Sequence, residues 1–275
     1  MSALLAYFGN LEMILNADAG TLMAIEGMTA DLANDISQAQ DYLEISEKYH
    51  TQLNQTDIYV LSRFDKDYPQ RLFELNDPPS LLYYRGTLPQ EEAKMAALIG
   101  TDNPTNEGIE LTTTVAKELA QKKVTLVGSI AQGIASASHL GIKAAGGISY
   151  GILDSGFEHI YPEENRPLAI DIVNGGALLT ESPPDKKYEL ASYHKSNRIV
   201  AAMAQAVILT QFYKDSAITM DLLECCMQIG KLVFVIIDPK HGALSDQEAL
   251  NKAVQFGAIP LVGLEKIDDI IKALV

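Results

Sequence analysis

The spacing of the hydrophobic positions changes near residue 56, and this change divides the chain into two predicted domains. Before it, apolar residues recur every three or four positions, which places them on one face of a helix. They are Leu4, Leu5, Phe8, Leu11, Ile14 and Leu15. A second helical unit covers residues 22–25, and another helix is predicted with Thr29 as its N-cap and Leu32 and Ile36 facing inward. We therefore expect an all-helical domain at residues 1–55, similar to SAM or helix-hairpin-helix domains.

After this domain, short apolar runs alternate with helical patterns. Two β-prone runs, 58–61 and 81–84, lie in a lead-in segment at residues 56–93. Seven further runs are predicted as buried strands, at residues 95–99, 124–127, 148–153, 177–179, 207–209, 232–237 and 259–262. Helical patterns separate most of them, notably at residues 109–121, 134–145, 216–229 and 247–256. Strands that are apolar throughout are typical of parallel sheets covered on both faces. Residues 56–275 are therefore predicted to form an α/β domain, a Rossmann-like, doubly wound and mostly parallel sheet.

Composition places the chain among cytoplasmic globular proteins. No apolar run reaches the roughly 18 residues that cross a bilayer, and no basic segment typical of a secretory signal opens the sequence. The two cysteines, Cys225 and Cys226, are adjacent within a helical pattern, which fits neither a disulfide framework nor a metal-binding spacing. We expect two reduced thiols in the core, no membrane association, and no metal or cofactor.

The charge is strongly acidic and unevenly distributed. The net charge is −15, and residues 1–60 carry nine acids and the single base Lys48, so −8 lies there and −7 in the other 215 residues. This balance argues against non-specific attraction to phosphate backbones. The acidic N-terminal domain is interpreted either as a protein-binding face or as a solvated helical surface.

Three turns after predicted strands have the composition of phosphate-binding loops. They contain Gly100 and Thr101; Gly128, Ser129 and Gly133; and Ser216. Glycine lets a phosphate approach the backbone, where exposed N–H groups and a helix N-terminus hold it. Tight strand-to-helix packing would favour the same residues, so both explanations stay open.

A fourth candidate segment carries side chains that suit phosphate. Lys195, Asn197 and Arg198 precede an apolar helix predicted at residues 199–206. Arginine binds phosphate with two parallel hydrogen bonds, and asparagine can orient it or a base edge. The alternative for Arg198 is a carboxylate pair that ties the helix to the sheet. His139 is either a general base or, more simply, a hydrogen-bonded core residue.

Phrases in order along the whole chain resemble the DprA/Smf family of DNA-processing proteins. They are Phe8-Gly9-Asn10, Ile25-Glu26-Gly27-Met28, Asp67-Tyr68-Pro69 to Leu72, Asp77-Pro78-Pro79, Leu82 to Gly86, Ala131-x-Gly133-Ile134 with His139, Gly156 through Tyr161-Pro162 to Asn165 and Leu168, Glu181-x-Pro183-Pro184, Asn197-Arg198-Ile199 with Ala201, and Gly257-Ala258. The resemblance implies a recombination mediator that binds single-stranded DNA, assists loading of the RecA recombinase in competence and natural transformation, and forms a homodimer. It implies no catalytic residues. Many members carry a C-terminal winged-helix domain, and we expect none here because the chain ends at Val275.

The departures from the family pattern concern its basic residues. Asp102, Gln132 and Ser196 stand where the family usually has Arg or Lys, Ala135 replaces an acid, and Asp215-Ser216-Ala217 replaces a Ser-Gly-Ser turn. Weakened DNA contacts are therefore expected. The alternative is a divergent sensor whose Rossmann-like pocket binds a nucleotide or another small phosphate ligand. A nucleotide-cleaving hydrolase is a third interpretation, but the paired carboxylates that it would need are not evident.

Overall fold

A computed structural model describes residues 2–238, 240 and 244–274, and all their side chains except those of Ser2 and Glu265. The chain forms two compact units, Met1–Ile58 and Tyr59–Val275. Among the described residues, no helix combines the length and apolarity needed to cross a membrane.

The first unit is entirely helical. Its helices are α1 (Ser2–Phe8), α2 (Leu11–Leu15), α3 (Ala19–Leu22), α4 (Ala30–Ser37) and α5 (Leu43–Gln55). Leu4, Ile14, Leu22, Ile25 and Ala33 form its buried cluster. Thr29 is the N-cap of α4, as predicted, and its hydroxyl accepts a hydrogen bond from the Leu32 N–H at 3.2 Å.

Two side chains predicted to face inward in this unit are exposed. Leu11 is 41% exposed because the chain breaks at Gly9, with φ +85°, so the helical phase of α1 does not continue into α2. Leu32 is 47% exposed, and Ala33 is the buried residue of α4 instead. The helix therefore packs through a small side chain, which a search for large apolar residues does not find.

The second unit is built on a nine-stranded sheet. Its strands are β1 (Tyr59–Ser62), β2 (Leu81–Gly86), β3 (Met95–Ile99), β4 (Thr125–Ser129), β5 (Ser149–Ile152), β6 (Ala177–Thr180), β7 (Ala206–Leu209), β8 (Leu232–Ile237) and β9 (Ile259–Val262). They are ordered β1-β2-β6-β5-β4-β3-β7-β8-β9. The pairs β1–β2 and β2–β6 are antiparallel, and all others are parallel. This is the predicted Rossmann-like, doubly wound and mostly parallel sheet.

Helices cover both faces of the sheet. They are α6 (Asn106–Gln121), α7 (Ile134–Ala144), α8 (Arg166–Gly175), α9 (Tyr193–Met203), α10 (Ala217–Gln228), α11 (Gln247–Gln255) and α12 (Ile267–Ala273). In β3, Met95, Ala97 and Ile99 pack with α9, α10 and α11, whereas Ala96 and Leu98 pack with α6, α7 and α12. Burial on both faces explains why the strands are apolar throughout.

The C-terminal apolar stretch, residues 261–275, had two interpretations: closing the sheet or meeting a second subunit. In the structure Ile267, Ile270 and Leu274 are buried in the cluster formed with α6, so this segment covers one face of the sheet. Val275 lies outside the described residues.

Candidate functional site

The sheet has a topological switch point at β3 and β7. From β3 the chain adds β4, β5 and β6 on one side and then returns to add β7, β8 and β9 on the other. In open α/β sheets such a reversal leaves a crevice at the carboxyl ends of the strands, where ligands bind. A pocket of about 40 Å³ lies there. We call this cavity the switch pocket. It is lined by Leu98, Ile99, Gly100, Asp102, Ser129, Ala131, Gln132, Ala135, Asn197, Ser216, Ile218, Thr219 and Leu222.

The fold brings together four of the nine predicted site residues at this pocket. Gly100 follows β3, Ser129 ends β4, Ser216 precedes α10, and Asn197 lies on α9. Asp102 also lines the pocket, and so does Gln132. Asp102 and Gln132, two of the three positions at which the resemblance implies a basic residue, therefore line the same small cavity.

Thr101, Gly128 and Gly133 shape the turns around the pocket. The Thr101 N–H donates to the Gln211 carbonyl at 2.8 Å, and the Thr101 carbonyl accepts from the Ile134 N–H at 3.0 Å. Gly133 has φ +71°, and a Cβ at this position would collide with the Thr101 carbonyl oxygen. Gly128 is buried within β4. Close packing of backbone thus accounts for Gly133, whereas a Cβ at Gly128 would make only an ordinary contact, 3.5 Å from His139 Nε2.

Helices α7 and α10 begin at the pocket. Ala135 is near the start of α7, and Ile218 and Thr219 are in the first turn of α10. In the described part of the chain, no side chain caps either helix start. The Ser216 hydroxyl instead pairs with the Thr219 hydroxyl at 2.9 Å. Uncapped N–H groups and the positive end of a helix favour an anion.

Asn197 joins the two helices, α9 and α10, that line one side of the pocket. The side chain is 2% exposed, and its Nδ2 donates to the Ile218 carbonyl at 2.9 Å and to Asp221 Oδ2 at 2.8 Å. Both amide hydrogens therefore join α9 to the first turns of α10. The residue is positioned to orient α10 rather than to donate to a ligand.

Arg198 lies away from the pocket in an ion pair. Its Nη2 donates to Glu181 Oε2, and its Nη1 donates to the Asp77 carbonyl at 2.6 Å. The Arg198 and Glu181 side chains are 12% and 14% exposed. Burial raises the pKa of Glu181, and the positive charge of Arg198 opposes that rise. This geometry is the carboxylate pair that the sequence left open as the alternative to phosphate binding.

The remaining predicted cation, Lys195, is more accessible. Its side chain is 60% exposed, with Nζ 4.0 Å from Glu181 Oε1. Beside it, Ser196 is buried and donates to Asp154 Oδ1, so the third position that is usually basic in the family carries a neutral hydroxyl. Burial raises the pKa of Asp154, while the Ser196 hydrogen bond lowers it.

The electrostatics of the pocket follow from its lining. Asp102 is the one charged residue among the described residues that line it. Any anion bound there would depend on N–H and hydroxyl donors and would meet a nearby carboxylate. This arrangement supports anion binding that is weaker than in a pocket lined by Arg or Lys.

A stacked pair of tyrosines includes Tyr161, on the loop that also carries Asn165, and sequence reasoning did not identify this pair. The Tyr161 and Tyr188 rings are 4.0 Å apart and inclined by 13°. Asn165, four residues after Tyr161, donates to the carbonyls of Ile130 and Ala131 at 2.6 and 3.1 Å, which fastens this loop to the turn after β4. Tyr161 is 51% exposed. The available signal was an aromatic residue, Tyr188, directly after Lys186 and Lys187.

His139 is a core residue in this structure. Its side chain is fully buried, Nε2 lies 3.2 Å from the Ser129 carbonyl oxygen, and Nδ1 has no hydrogen-bond partner among the described residues. Burial lowers its pKa to about 4. The imidazole is therefore neutral at physiological pH, and it does not line the switch pocket.

A larger cavity of about 760 Å³ lies at the opposite, amino-terminal edge of the parallel strands. Met95 at the start of β3 and Met203 at the end of α9 contribute to its lining, as do Gln90 and Arg71. Arg71 is committed to the backbone, because its guanidinium donates to the carbonyls of Met203, Glu91 and Ala93. None of the nine predicted site residues lines this cavity.

Comparison with known proteins gives the same family for the α/β unit. The family model of DNA recombination-mediator protein A matches residues 59–275. DprA of Bacillus subtilis (strain 168) is 31% identical over 205 residues, which cover 74% of this chain and 67% of that protein. DprA of Streptococcus pneumoniae (strain R6) is 26% identical over 257 residues, covering 90% and 89%. Protein Smf of Synechocystis is 32% identical over 151 residues, and only 38% of its length is covered.

Solved structures support the fold. The crystal structure of Streptococcus pneumoniae DprA superposes with a TM-score of 0.79 at 23% identity, covering 97% of this chain and 90% of that one. A Helicobacter pylori DprA structure, which describes a single-stranded DNA binding mode, has a TM-score of 0.66 at 23% identity, covering 78% and 96%. Together with the family match across the whole α/β unit, these findings establish that the chain belongs to the DprA/Smf family of DNA-processing proteins.

Proposed function

We propose that this chain binds single-stranded DNA at the switch pocket and assists loading of a RecA-type recombinase during DNA uptake and natural transformation. The observation that carries the proposal is the family match over residues 59–275, which spans the entire α/β unit. Binding of single-stranded DNA by the related Helicobacter pylori protein supports it. In this proposal the protein works in the cytoplasm as a homodimer and has no catalytic residues of its own.

The phosphate of the strand would be held by backbone and hydroxyl donors. The uncapped start of α10 and the side chains of Ser129 and Ser216 meet at the switch pocket. Neutral donors of this kind hold phosphate well when a helix N-terminus points at it. Gly100 lines the same pocket, and a Cβ there would collide with the Gln211 carbonyl oxygen, so glycine lets the turn after β3 pack closely against the segment after β7.

The bases would stack on the Tyr161–Tyr188 pair. The two rings are already parallel, and the loop that carries Tyr161 is fastened to the turn after β4. Stacking of a base on an aromatic side chain contributes about 1–3 kcal/mol and is tolerant of sequence. A phosphate pocket lined by Ala131, together with an aromatic pair on the loop that Asn165 fastens to the Ala131 carbonyl, would suit a single strand.

The proposed binding is weak because its cationic contacts are few. Asp102, Gln132 and Ser196 occupy three positions that are usually basic in the family. On single-stranded DNA each lost phosphate contact lowers the slope of log K against log salt by about 0.7. Lys195, exposed and 4.0 Å from Glu181, is the predicted cation that a strand could reach.

The acidic N-terminal unit is proposed to contact a protein. Residues 1–60 carry a net charge of −8, which repels a phosphate backbone. A recombinase or a second copy of the chain could use its exposed helical surfaces.

A sensor of a nucleotide or small phosphate ligand is the second candidate. It is favoured by one observation, the absence of Arg and Lys among the described residues that line the switch pocket. A polymer gains much of its affinity from cationic contacts along its length, whereas one phosphate group can be held by a helix N-terminus alone.

The length of the ligand separates the two candidates. Fluorescence anisotropy with labelled single-stranded oligonucleotides of increasing length, at two salt concentrations, should show affinity that increases with length and decreases with salt. Affinity increases further when a strand bridges two subunits. If binding saturates with a mononucleotide, the sensor is correct. If the folded protein binds neither, both proposals fail.

A further inference from the structure

Three side chains with metal-binding chemistry meet between α9 and α10, and none of them lines the switch pocket. His194 lies on α9, and Asp221 and Cys225 lie one turn apart on α10. The imidazole, carboxylate and thiol atoms that could bind a metal all lie within 4.8 Å of one another. His194 Nδ1 and Asp221 Oδ1 are 2.6 Å apart.

The spacing of these residues makes their approach a property of the fold. Asp221 and Cys225 are four positions apart, which puts them on the same face of α10. Helices α9 and α10 pack against each other on one face of the sheet, and this packing brings His194 to that face. His194 and Asp221 are 27 positions apart in sequence, so a search for local motif spacing does not find the cluster.

A hydrogen bond from Asn197 orients the cluster, and the cluster is open to solvent on the side of His194. Asn197 Nδ2 donates to Asp221 Oδ2 at 2.8 Å, which fixes the carboxylate and leaves Oδ1 directed to His194. Outer partners of this kind orient ligands in metal sites. The His194 side chain is 60% exposed, whereas Asp221 is 18% exposed and Cys225 is buried. An ion can therefore enter past His194 and reach a sulfur that is otherwise shielded.

We propose that His194, Asp221 and Cys225 bind Zn²⁺ through one nitrogen, one oxygen and one sulfur, with water as the fourth ligand. This donor set and a tetrahedral geometry are those that Zn²⁺ prefers. Ligand atoms around a tetrahedral zinc lie roughly 3.5 Å apart. The exposed His194 side chain has to shift by about 1 Å to reach that spacing, because it now contacts Asp221 directly.

Metal binding changes the state of the thiol. Zn²⁺ binds the thiolate form of cysteine, so binding at Cys225 releases the thiol proton. The carboxylate and thiolate together balance the charge of the ion. A metal–sulfur bond is consequently a specific spectroscopic sign of this site.

The site would join α9 to α10 directly. Because Asn197 both contacts Asp221 and lines the switch pocket, an ion there would stabilise one wall of the pocket. The inference does not depend on DNA binding, since it rests on side chains outside the pocket lining. A ligand that binds only the folded state raises the free energy of unfolding.

Titration with Co²⁺, followed by displacement with Zn²⁺, tests the site on the 275-residue chain after chelator treatment. A near-ultraviolet sulfur-to-cobalt charge-transfer band should appear, saturate at one equivalent, and disappear when Zn²⁺ is added. Zn²⁺ should also raise the melting temperature. Cys225→Ala should abolish the band, and His194→Ala should weaken binding about tenfold or more.

Cys226→Ala is the matched control, because Cys226 is the neighbouring buried thiol on the same helix and is outside the cluster. It should retain the band. His194 is exposed, so its variant should fold even if Cys225→Ala does not. The proposal is wrong if the folded protein gives no charge-transfer band. It is equally wrong if the band survives in Cys225→Ala or is unchanged by His194→Ala.

Discussion

Arg198 binds two acidic residues from distant parts of the sequence. Glu181, on the segment after β6, lies 17 residues away, and Asp77 lies 121 residues away. Neither separation follows a local sequence pattern. The sequence could therefore identify Arg198 as a candidate anion-binding residue, but it could not show that the bound anion is a carboxylate of the same chain. A buried ion pair that loses one partner leaves an uncompensated charge, which costs about 3–5 kcal/mol.

Arg198→Ala should therefore destabilise the α/β unit by about 3 kcal/mol at neutral pH. Burial already raises the pKa of Glu181, and loss of Arg198 would raise it further. Protonated Glu181 needs no cation, so the loss of stability should shrink as the pH falls through this raised pKa. Urea unfolding at neutral and acidic pH measures the effect.

Glu181→Gln provides the control for this variant. In the Glu181→Gln background no charge is left behind, so Arg198→Ala should cost clearly less free energy of unfolding. Equal costs in both backgrounds would mean that the ion pair is not what Arg198 contributes.

His139 should make the folded state sensitive to acid. Its pKa is about 4 when folded and 6.5 ordinarily, so the unfolded chain takes up a proton that the folded chain refuses. The stability that depends on neutral His139 is complete above pH 6.5 and is lost as the pH falls to about 4. The difference between these values corresponds to about 3 kcal/mol.

His139→Gln removes the titrating group and can retain a donor to the Ser129 carbonyl. Its free energy of unfolding should change less between neutral pH and about pH 4 than that of the unaltered protein. Denaturant titrations across this range compare the two. Parallel pH profiles would show that His139 is not the source of the dependence.

At the scale of elements, burial on both faces made the sheet predictable. Runs 95–99 and 232–237 coincide with the buried strands β3 and β8. Run 259–262 coincides with β9, but this is an edge strand with Ile259 and Val262 exposed, so the prediction that it is buried was wrong. Helices α6, α7, α10 and α11 were predicted to within a few residues, because their apolar positions follow the helical period.

Helices α8 and α9 depart from the prediction for different reasons, and α12 was not predicted as a helix. Helix α8, Arg166–Gly175, was missed because Pro167 and the following Asn174-Gly175-Gly176 resemble loop punctuation. Helix α9 begins at Tyr193 instead of residue 199 because its first turns bury polar side chains, Ser196 and Asn197. Their partners, Asp154 and Asp221, are supplied by the tertiary fold.

A charged side-chain cap at the start of α10 should raise the stability of the protein and lower its affinity for DNA. Ser216→Asp supplies the side-chain cap that the helix lacks and a negative charge at its N-terminus, so it should raise stability by about 1 kcal/mol. The same carboxylate should lower affinity for single-stranded DNA, because it occupies the place of the phosphate. Thermal melts and anisotropy measure the two effects.

Ser216→Asn separates capping from charge. It can cap the helix without adding an anion, so it should stabilise α10 and weaken DNA binding less than Ser216→Asp does. If both variants bind DNA equally well, the start of α10 is not a phosphate site.

At the scale of the whole molecule, the acidic net charge and its concentration in residues 1–60 follow from the sequence alone, but they do not locate the binding site. Gly100, Ser129, Asn197 and Ser216 were predicted and lie at one pocket, since turns at the carboxyl ends of parallel strands meet at one edge. The Tyr161–Tyr188 stack and the His194 cluster were not predicted. Both depend on contacts across 27 residues in sequence that only the folded chain creates.

The central claim is that a single strand binds at the switch pocket. Gln132 lines this pocket and is exposed, which makes it suitable for a change of charge in either direction. Gln90 is a matched control, because it is also exposed and lines the large cavity at the opposite edge of the sheet. Substitution to Lys or Glu changes the net charge of the protein equally at both positions.

Anisotropy of one labelled oligonucleotide across a range of salt concentrations is the most direct test. Gln132→Lys should raise affinity and steepen the slope of log K against log salt by about 0.7, and Gln132→Glu should lower affinity. The two Gln90 variants should match the unaltered protein. If the Gln132 variants bind alike, or if the Gln90 variants shift affinity by the same amounts, the switch pocket is not where the strand binds.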